Sequence, residues 1–136
     1  MATVGQLMTR DLSVIQEEEG IQQAAQHMHR RRIGSLLVRR DAEFVGIVTE
    51  TDVVRAVAEQ VTELGRLTVK GVMSSPIIHV DRNMSPHYAR DLMADRKIRH
   101  LGVTEEGKIV GIISVRDLLG YFKTVSKDLQ APEENE

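Results

Sequence analysis

The chain is predicted to be an α+β protein built from two copies of one β-α-β-β-α unit. Three observations carry that prediction. The stretch "VGIVTETDVV", Val45 to Val54, recurs as "VGIISVRDLL", Val110 to Leu119. The same offset holds without a gap back to the start: Val4 falls on Val69, Met8 on Met73, Ala24 on Ala89, Met28 on Met93, Ile33 on Ile98, Leu36 on Leu101, Val38 on Val103 and Gly46 on Gly111. Self-similarity at a fixed offset is a fold-level signal. Within each copy, finally, the hydrophobic period switches between strand-like runs and a helical face.

The elements follow in order. Leu12 to Ile15 is a short strand. Gly20 to Arg31 places Ile21, Ala24, Ala25 and Met28 on one helical face. Ser35 to Arg39 and Phe44 to Thr49 are apolar, β-rich strands separated by the polar turn Asp41-Ala42-Glu43, which predicts an antiparallel hairpin. From Glu50 to Leu64 a helix turns Val53, Val54, Val57 and Val61 inward and is stopped by Gly65. In the second copy Ser85 and Pro86 make a helix start, a capping serine before a first-turn proline. The turn around "TEEGKI" repeats the hairpin. This divides the chain into a first repeat, 1–65, a second, 66–125, and an acidic tail, 126–136, expected to fray. Neither copy is long enough to bury a comfortable core alone, so the two are expected to pack together.

Composition narrows the function. The 136 residues are 41% hydrophobic but only 3% aromatic, so the core is built of Val, Ile, Leu, Met and Ala. The net charge of -2 argues against an electrostatic nucleic-acid binder. There is no cysteine, which excludes disulfides, thiolate metal sites and a cysteine nucleophile. No signal-peptide pattern opens the chain and no apolar run approaches a membrane span, so a cytoplasmic protein without a membrane association is expected. No phosphate-binding Gly-x-x-x-x-Gly-Lys-Ser/Thr motif is present, and no His/Ser/Asp set has an interpretable spacing. His27 and His29 diverge on their helix and make a poor metal pair. The chain is therefore not expected to be an enzyme.

The repeated decamer carries the chemistry. Each copy ends a strand on a hydroxyl, Thr49 or Ser114, and places an aspartate three residues later, Asp52 or Asp117. The hydroxyl arrives where a helix begins, among unpaired N–H groups at the positive end of the dipole, a place that favours phosphate. The carboxylate offers two acceptor oxygens to the two neighbouring hydroxyls of a ribose. The same spacing is also a capping box with Asp in place of Glu. Both readings stand at this point, and they are compatible.

These residues resemble a known family. "VGQLMTRDLSVI…RRIGSLLVRRDAEFVGIVTETDVVRAV", paired with "VKGVMSSPIIHV…RKIRHLGVTEEGKIVGIISVRDLLGYF", is similar to a tandem of cystathionine-β-synthase (CBS) domains, the Bateman module, over residues 4 to 125. The resemblance implies two pseudo-two-fold-related repeats packed into one flattened module, with clefts between them for adenosine-containing ligands: AMP, ADP, ATP, NAD or S-adenosylmethionine. It implies a stand-alone regulatory protein that signals to an unidentified partner and has no catalytic cofactor. Carried over by position, one cleft takes Ser114, Arg116, Asp117 and Ile112 with Thr9, Val14, Ile33, Gly34 and Ser35, while Arg99 and His100 reach phosphate. A second possible site takes Thr49 and Asp52 with Ser74, His79 and Ile98. One strong site per chain, at Asp117, is expected, because Gly34 and Ser35 are small whereas Arg99, His100 and His79 are bulky. The chain departs from the family pattern at Gly102, where proline is more usual.

A homodimer is expected through Val57, Val61, Leu119, Tyr121 and Phe122, more apolar surface than a small module can bury. The alternative to a ligand sensor is a ligand-free dimerisation module. A weaker one is nucleic-acid binding through Arg30, Arg31, Arg32, Arg39 and Arg40, whose simpler reading is a solvated helix end.

Overall fold

The computed structural model describes the backbone of residues 2–59 and 61–134, and the side chains of these except 61–63 and 127–134. In chain order the elements are α1 Val4–Leu7, β1 Val14–Gln16, α2 Ile21–Arg31, β2 Ser35–Arg40, β3 Glu43–Thr49, α3 Glu50–Glu59, a 3-10 turn Val61–Arg66, α4 Val69–Val72, β4 His79–Asp81, α5 Pro86–Arg96, β5 His100–Glu105, β6 Lys108–Ser114 and α6 Val115–Glu134. The two β-α-β-β-α repeats are present, each with one three-stranded sheet, β1-β2-β3 and β4-β5-β6.

The two sheets repeat each other in register. β1 runs parallel to β2 and β4 parallel to β5, because a helix crosses over between them; β2–β3 and β5–β6 are antiparallel hairpins. Their two-residue loops need a left-handed residue, supplied by Asp41 at φ 52° and by Glu106 and Gly107 at 51° and 78°. Both hairpins carry an irregularity at the same place, after Val38 and after Val103. The capped helix start is as expected: Ser85 Oγ accepts from the Tyr88 N–H at 3.1 Å, with Pro86 in the first turn.

The chain folds as two compact units that do not follow the sequence repeats: 12–78, and 1–11 with 79–136. Each unit holds one sheet and the leading segment of the other repeat. In the first, the core is Ile15, Ile21, Ala24, Met28, Leu36, Val38, Val48, Ala56, Val69 and Val72. In the second, Val4, Val80, Ala89, Met93, Leu101, Val103, Ile113 and Leu118 are buried.

The exchange rests on a glycine in each hairpin. Ser74 bridges Ile47 in one unit, and Thr9 bridges Ile112 in the other. The methionine before each lies flat on the strand: a Cβ built on Gly46 would meet Met73 Sδ at 2.7 Å, and one on Gly111 would collide with Met8 Sδ. Only glycine permits that approach.

Three elements differ from the sequence expectation. α3 stops at Glu59 and a 3-10 turn follows, where β-branched Val61 and Thr62 disfavour continuation; Gln60 lies outside the described residues. The four-residue helices α1 and α4 were not expected. α6 runs as backbone helix to Glu134, into the 126–136 tail. Residues 135–136 of that tail lie outside the described residues.

Candidate functional site

Each hydroxyl–aspartate pair sits where an antiparallel hairpin feeds a helix. The β strand delivers Thr49 or Ser114, and the helix starts at the next residue. A matched backbone bond fixes each corner: Glu50 N–H donates to the Gly34 carbonyl at 3.1 Å, and Val115 N–H to the Arg99 carbonyl at 2.9 Å. The segment before the middle strand is thereby pinned beside the hydroxyl, with Ser35 the register partner of Thr49 and His100 that of Ser114.

Both aspartates cap their helices. Thr49 N–H donates to Asp52 Oδ2 at 2.9 Å, and the Asp52 N–H returns a bond to Thr49 Oγ1 at 3.3 Å. In the second repeat Ser114 N–H donates to Asp117 Oδ2 at 2.9 Å, and the Asp117 N–H to Ser114 Oγ at 3.2 Å. The capping reading of the motif is thus correct in both copies. It uses one carboxylate oxygen and leaves the other to decide the site's chemistry.

The second oxygen is where the copies part. Asp52 is 3% exposed. The Thr49 hydroxyl also donates to its Oδ2, at 3.1 Å, and Arg55 Nη2 donates to Oδ1 at 2.8 Å. Asp117 is only partly buried, and among the described residues its Oδ1 accepts no hydrogen bond. The Ser114 hydroxyl accepts from the Asp117 N–H and donates to no described residue. The second repeat therefore presents an unused charged acceptor beside an unused donor.

The other expected residues divide between the units. Thr9, Arg99, His100, Ile112, Ser114, Arg116 and Asp117 belong to one. Thr9 exchanges backbone bonds with Ile112 at 2.8 and 3.0 Å, two residues before Ser114, and Arg99 and Arg116 are exposed. Val14, Ile33, Gly34 and Ser35 belong to the other unit, with Ser35 buried on β2. Of the second set, Thr49, Asp52 and Ser74 share a unit, while His79, opposite Gly102 on β4–β5, and Ile98 lie in the unit of Asp117. The sequence reading missed Arg55. Its signal was present: the residue three beyond Asp52 is arginine, and the residue three beyond Asp117 is Gly120.

Two other readings meet the structure here. Of the expected interface residues, Val57 and Leu119 are exposed, at 45% and 63%. Tyr121 and Phe122 are half-buried instead, Phe122 edge-on to His87 at 5.1 Å and beneath Arg90, because α6 packs on α5 within its unit. The Val61 side chain lies outside the described residues. The arginine cluster is broken up: Arg39 stacks on Phe44 at 4.9 Å, and Arg40 clasps both oxygens of Glu17. No described helix is long and apolar enough to cross a membrane.

Comparison with known proteins returns the same repeats. A protein of Methanopyrus kandleri, MK0525, is 33% identical over 119 residues, 86% of this chain; the chain spans 61% of that relative's length. The CBS-domain containing protein ATU1752 of Agrobacterium tumefaciens superposes with a TM-score of 0.83 at 31% identity, covering 88% of this chain and 93% of its own. The CBS domain pair of protein MJ0100, in complex with 5'-methylthioadenosine and S-adenosyl-L-methionine, has a TM-score of 0.81 at 19% identity, over 91% of this chain and 98% of its own, a likeness of fold. The CBS domain model matches twice, over residues 4–59 and 69–124, the two stretches that carry the glycine-crossed hairpins and the capped aspartates. The chain belongs to the CBS domain family, with two copies of the domain.

Proposed function

We propose that this chain is a regulatory, non-catalytic protein that binds an adenosine-containing ligand (AMP, ADP, ATP or NAD) at Asp117 and passes its occupancy to a protein partner. The observation that supports this most is the unused Oδ1 of Asp117 beside the undonated Ser114 hydroxyl. A ribose diol brings two donors to that carboxylate, and bonds to a charged acceptor are stronger than neutral ones. Thr9, through its bridge to Ile112, lies in the same unit, and the Arg99 and Arg116 side chains there are exposed and cationic. MJ0100, which shares the fold, is bound to two adenosine compounds.

The test is ligand-dependent melting. A ligand at about 100 times its dissociation constant adds about 2.7 kcal/mol, which raises the midpoint by several degrees for a domain of this size. AMP, ADP, ATP and NAD are expected to do this where inorganic phosphate does not, with GMP screened beside them to read selectivity for the base. If none of the four moves the melt at millimolar concentration, the sensor reading falls to a ligand-free dimerisation module. That second reading draws on Val54 and Leu119, 67% and 63% exposed at matching positions of α3 and α6.

A further inference from the structure

Asp52 and Asp117 hold the same place in two copies of one unit, and a difference one turn later separates the states of their Oδ1 atoms. Arg55 follows Asp52 on α3; Gly120 stands at the matching position of α6. Nη2 of Arg55 reaches Asp52 Oδ1 at 2.8 Å and the Val72 carbonyl, at the end of α4, at 3.3 Å. The guanidinium is thus tied to two elements of its own unit. With Oδ2 taken by the Thr49 N–H and hydroxyl, neither oxygen of Asp52 is left without a donor.

We propose that Arg55 is a built-in occupant of the first-repeat aspartate, which closes that position to a ribose and leaves each chain with one ligand site, at Asp117. This rests on the reading of Asp117 as a ribose acceptor. The guanidinium supplies a donor to the oxygen a sugar hydroxyl would need, and adds a positive charge that the sugar lacks. It is tethered on the same helix, so its effective concentration exceeds that of a ligand in the micromolar to millimolar range. A ligand entering there must first break the ion pair. Among the described residues no such competitor reaches Asp117 Oδ1, and Gly120 has no side chain to supply one.

The converse also follows. A Cβ built on Gly120 meets nothing within 4 Å, so a side chain can leave the backbone there without a clash at its first atom. Leu7, the last residue of α1, stands where Val72 ends α4. Gly120→Arg should therefore install the same occupant over Asp117.

The experiment is calorimetric titration of the full chain with AMP. The native chain is expected to take one equivalent, lost in Asp117→Ala. Arg55→Ala is expected to take two, the second lost when Asp52→Ala is added. Gly120→Arg is expected to weaken the native site about two- to sixfold, the competition an exposed ion pair of this kind supplies, while Gly120→Ala leaves it unchanged. Two equivalents in the native chain, or one in Arg55→Ala at unchanged affinity, overturn the role of Arg55 and leave the Asp117 reading standing. No uptake by the native chain beside one equivalent in Arg55→Ala does the reverse. No uptake by either overturns both. Should Arg55→Ala fail to fold, Gly120→Arg decides alone, and an unchanged affinity there is the refuting result.

Discussion

Replacing each aspartate with alanine should separate its structural role from its binding role, because the two are weighted oppositely in the two repeats. Asp117→Ala removes one capping bond, from the Ser114 N–H at 2.9 Å. A lost cap of that kind costs about 1 kcal/mol. Asp52→Ala removes the equivalent bond, a second bond from the Thr49 hydroxyl, and the ion pair to Arg55. The Arg55 side chain is 48% exposed, so it rehydrates when its partner goes and the pair adds only about 0.2–1 kcal/mol. The Thr49 hydroxyl, partly buried, adds a comparable amount. Asp52→Ala should therefore cost about 2 kcal/mol against about 1 for Asp117→Ala. Urea unfolding of both variants without ligand, at equal slope, reads the difference directly as a midpoint shift. An Asp117→Ala chain less stable than Asp52→Ala would refute the reasoning, since it would mean that Asp117 carries the larger share of the fold.

Three further outcomes are expected. Arg40 holds the Glu17 carboxyl below its ordinary range by hydrogen bonding first and charge second, so the pair contributes stability above the unfolded value of 4.5 that is lost as pH falls through the lower folded value; Glu17→Gln should flatten that acid limb of the stability–pH curve while leaving its slope near neutrality unchanged. Lys97 ends α5 in the left-handed region at φ 56°, where glycine carries no side-chain penalty, so Lys97→Gly should stabilise by about 1 kcal/mol, seen as a melting midpoint raised by about 3–4 °C. The exposed Val54 and Leu119 should lie in a homodimer interface; Val54→Glu with Leu119→Glu is expected to halve the mass seen by light scattering, and an unchanged mass would place the interface elsewhere.

Much of this molecule was legible in its residues because it is written twice. The hairpins, the crossover helices and the Ser85 cap announce themselves through short-range patterns that any local window contains. The four-residue helices α1 and α4 do not, since one turn shows no periodicity. Their exchange between the sequence repeats is a long-range pairing, visible only once Thr9 is seen beside Ile112 and Ser74 beside Ile47. The recurrence of a methionine and a glycine in both copies was plain, but the contact between them was not. The packing of Phe122 on His87 was not legible, because an aromatic pair on a helix looks the same whether it faces a neighbouring helix or a second chain. At the site, the motif showed what the two aspartates share. What sets them apart lay at Arg55 and Gly120, a difference that gains meaning only when the guanidinium is found on the carboxylate.

The central claim, that Asp117 is the ribose acceptor, is tested most directly by titrating AMP into the native chain and the two alanine variants in a calorimeter. Asp117→Ala removes an acceptor of two charge-assisted bonds, about 2–3 kcal/mol, and should weaken binding about 30- to 150-fold. Asp52→Ala, whose carboxylate is already occupied by Arg55, should bind AMP within a few-fold of the native chain. An unaltered affinity in Asp117→Ala beside a lost one in Asp52→Ala would contradict the account and assign the ligand to the first repeat.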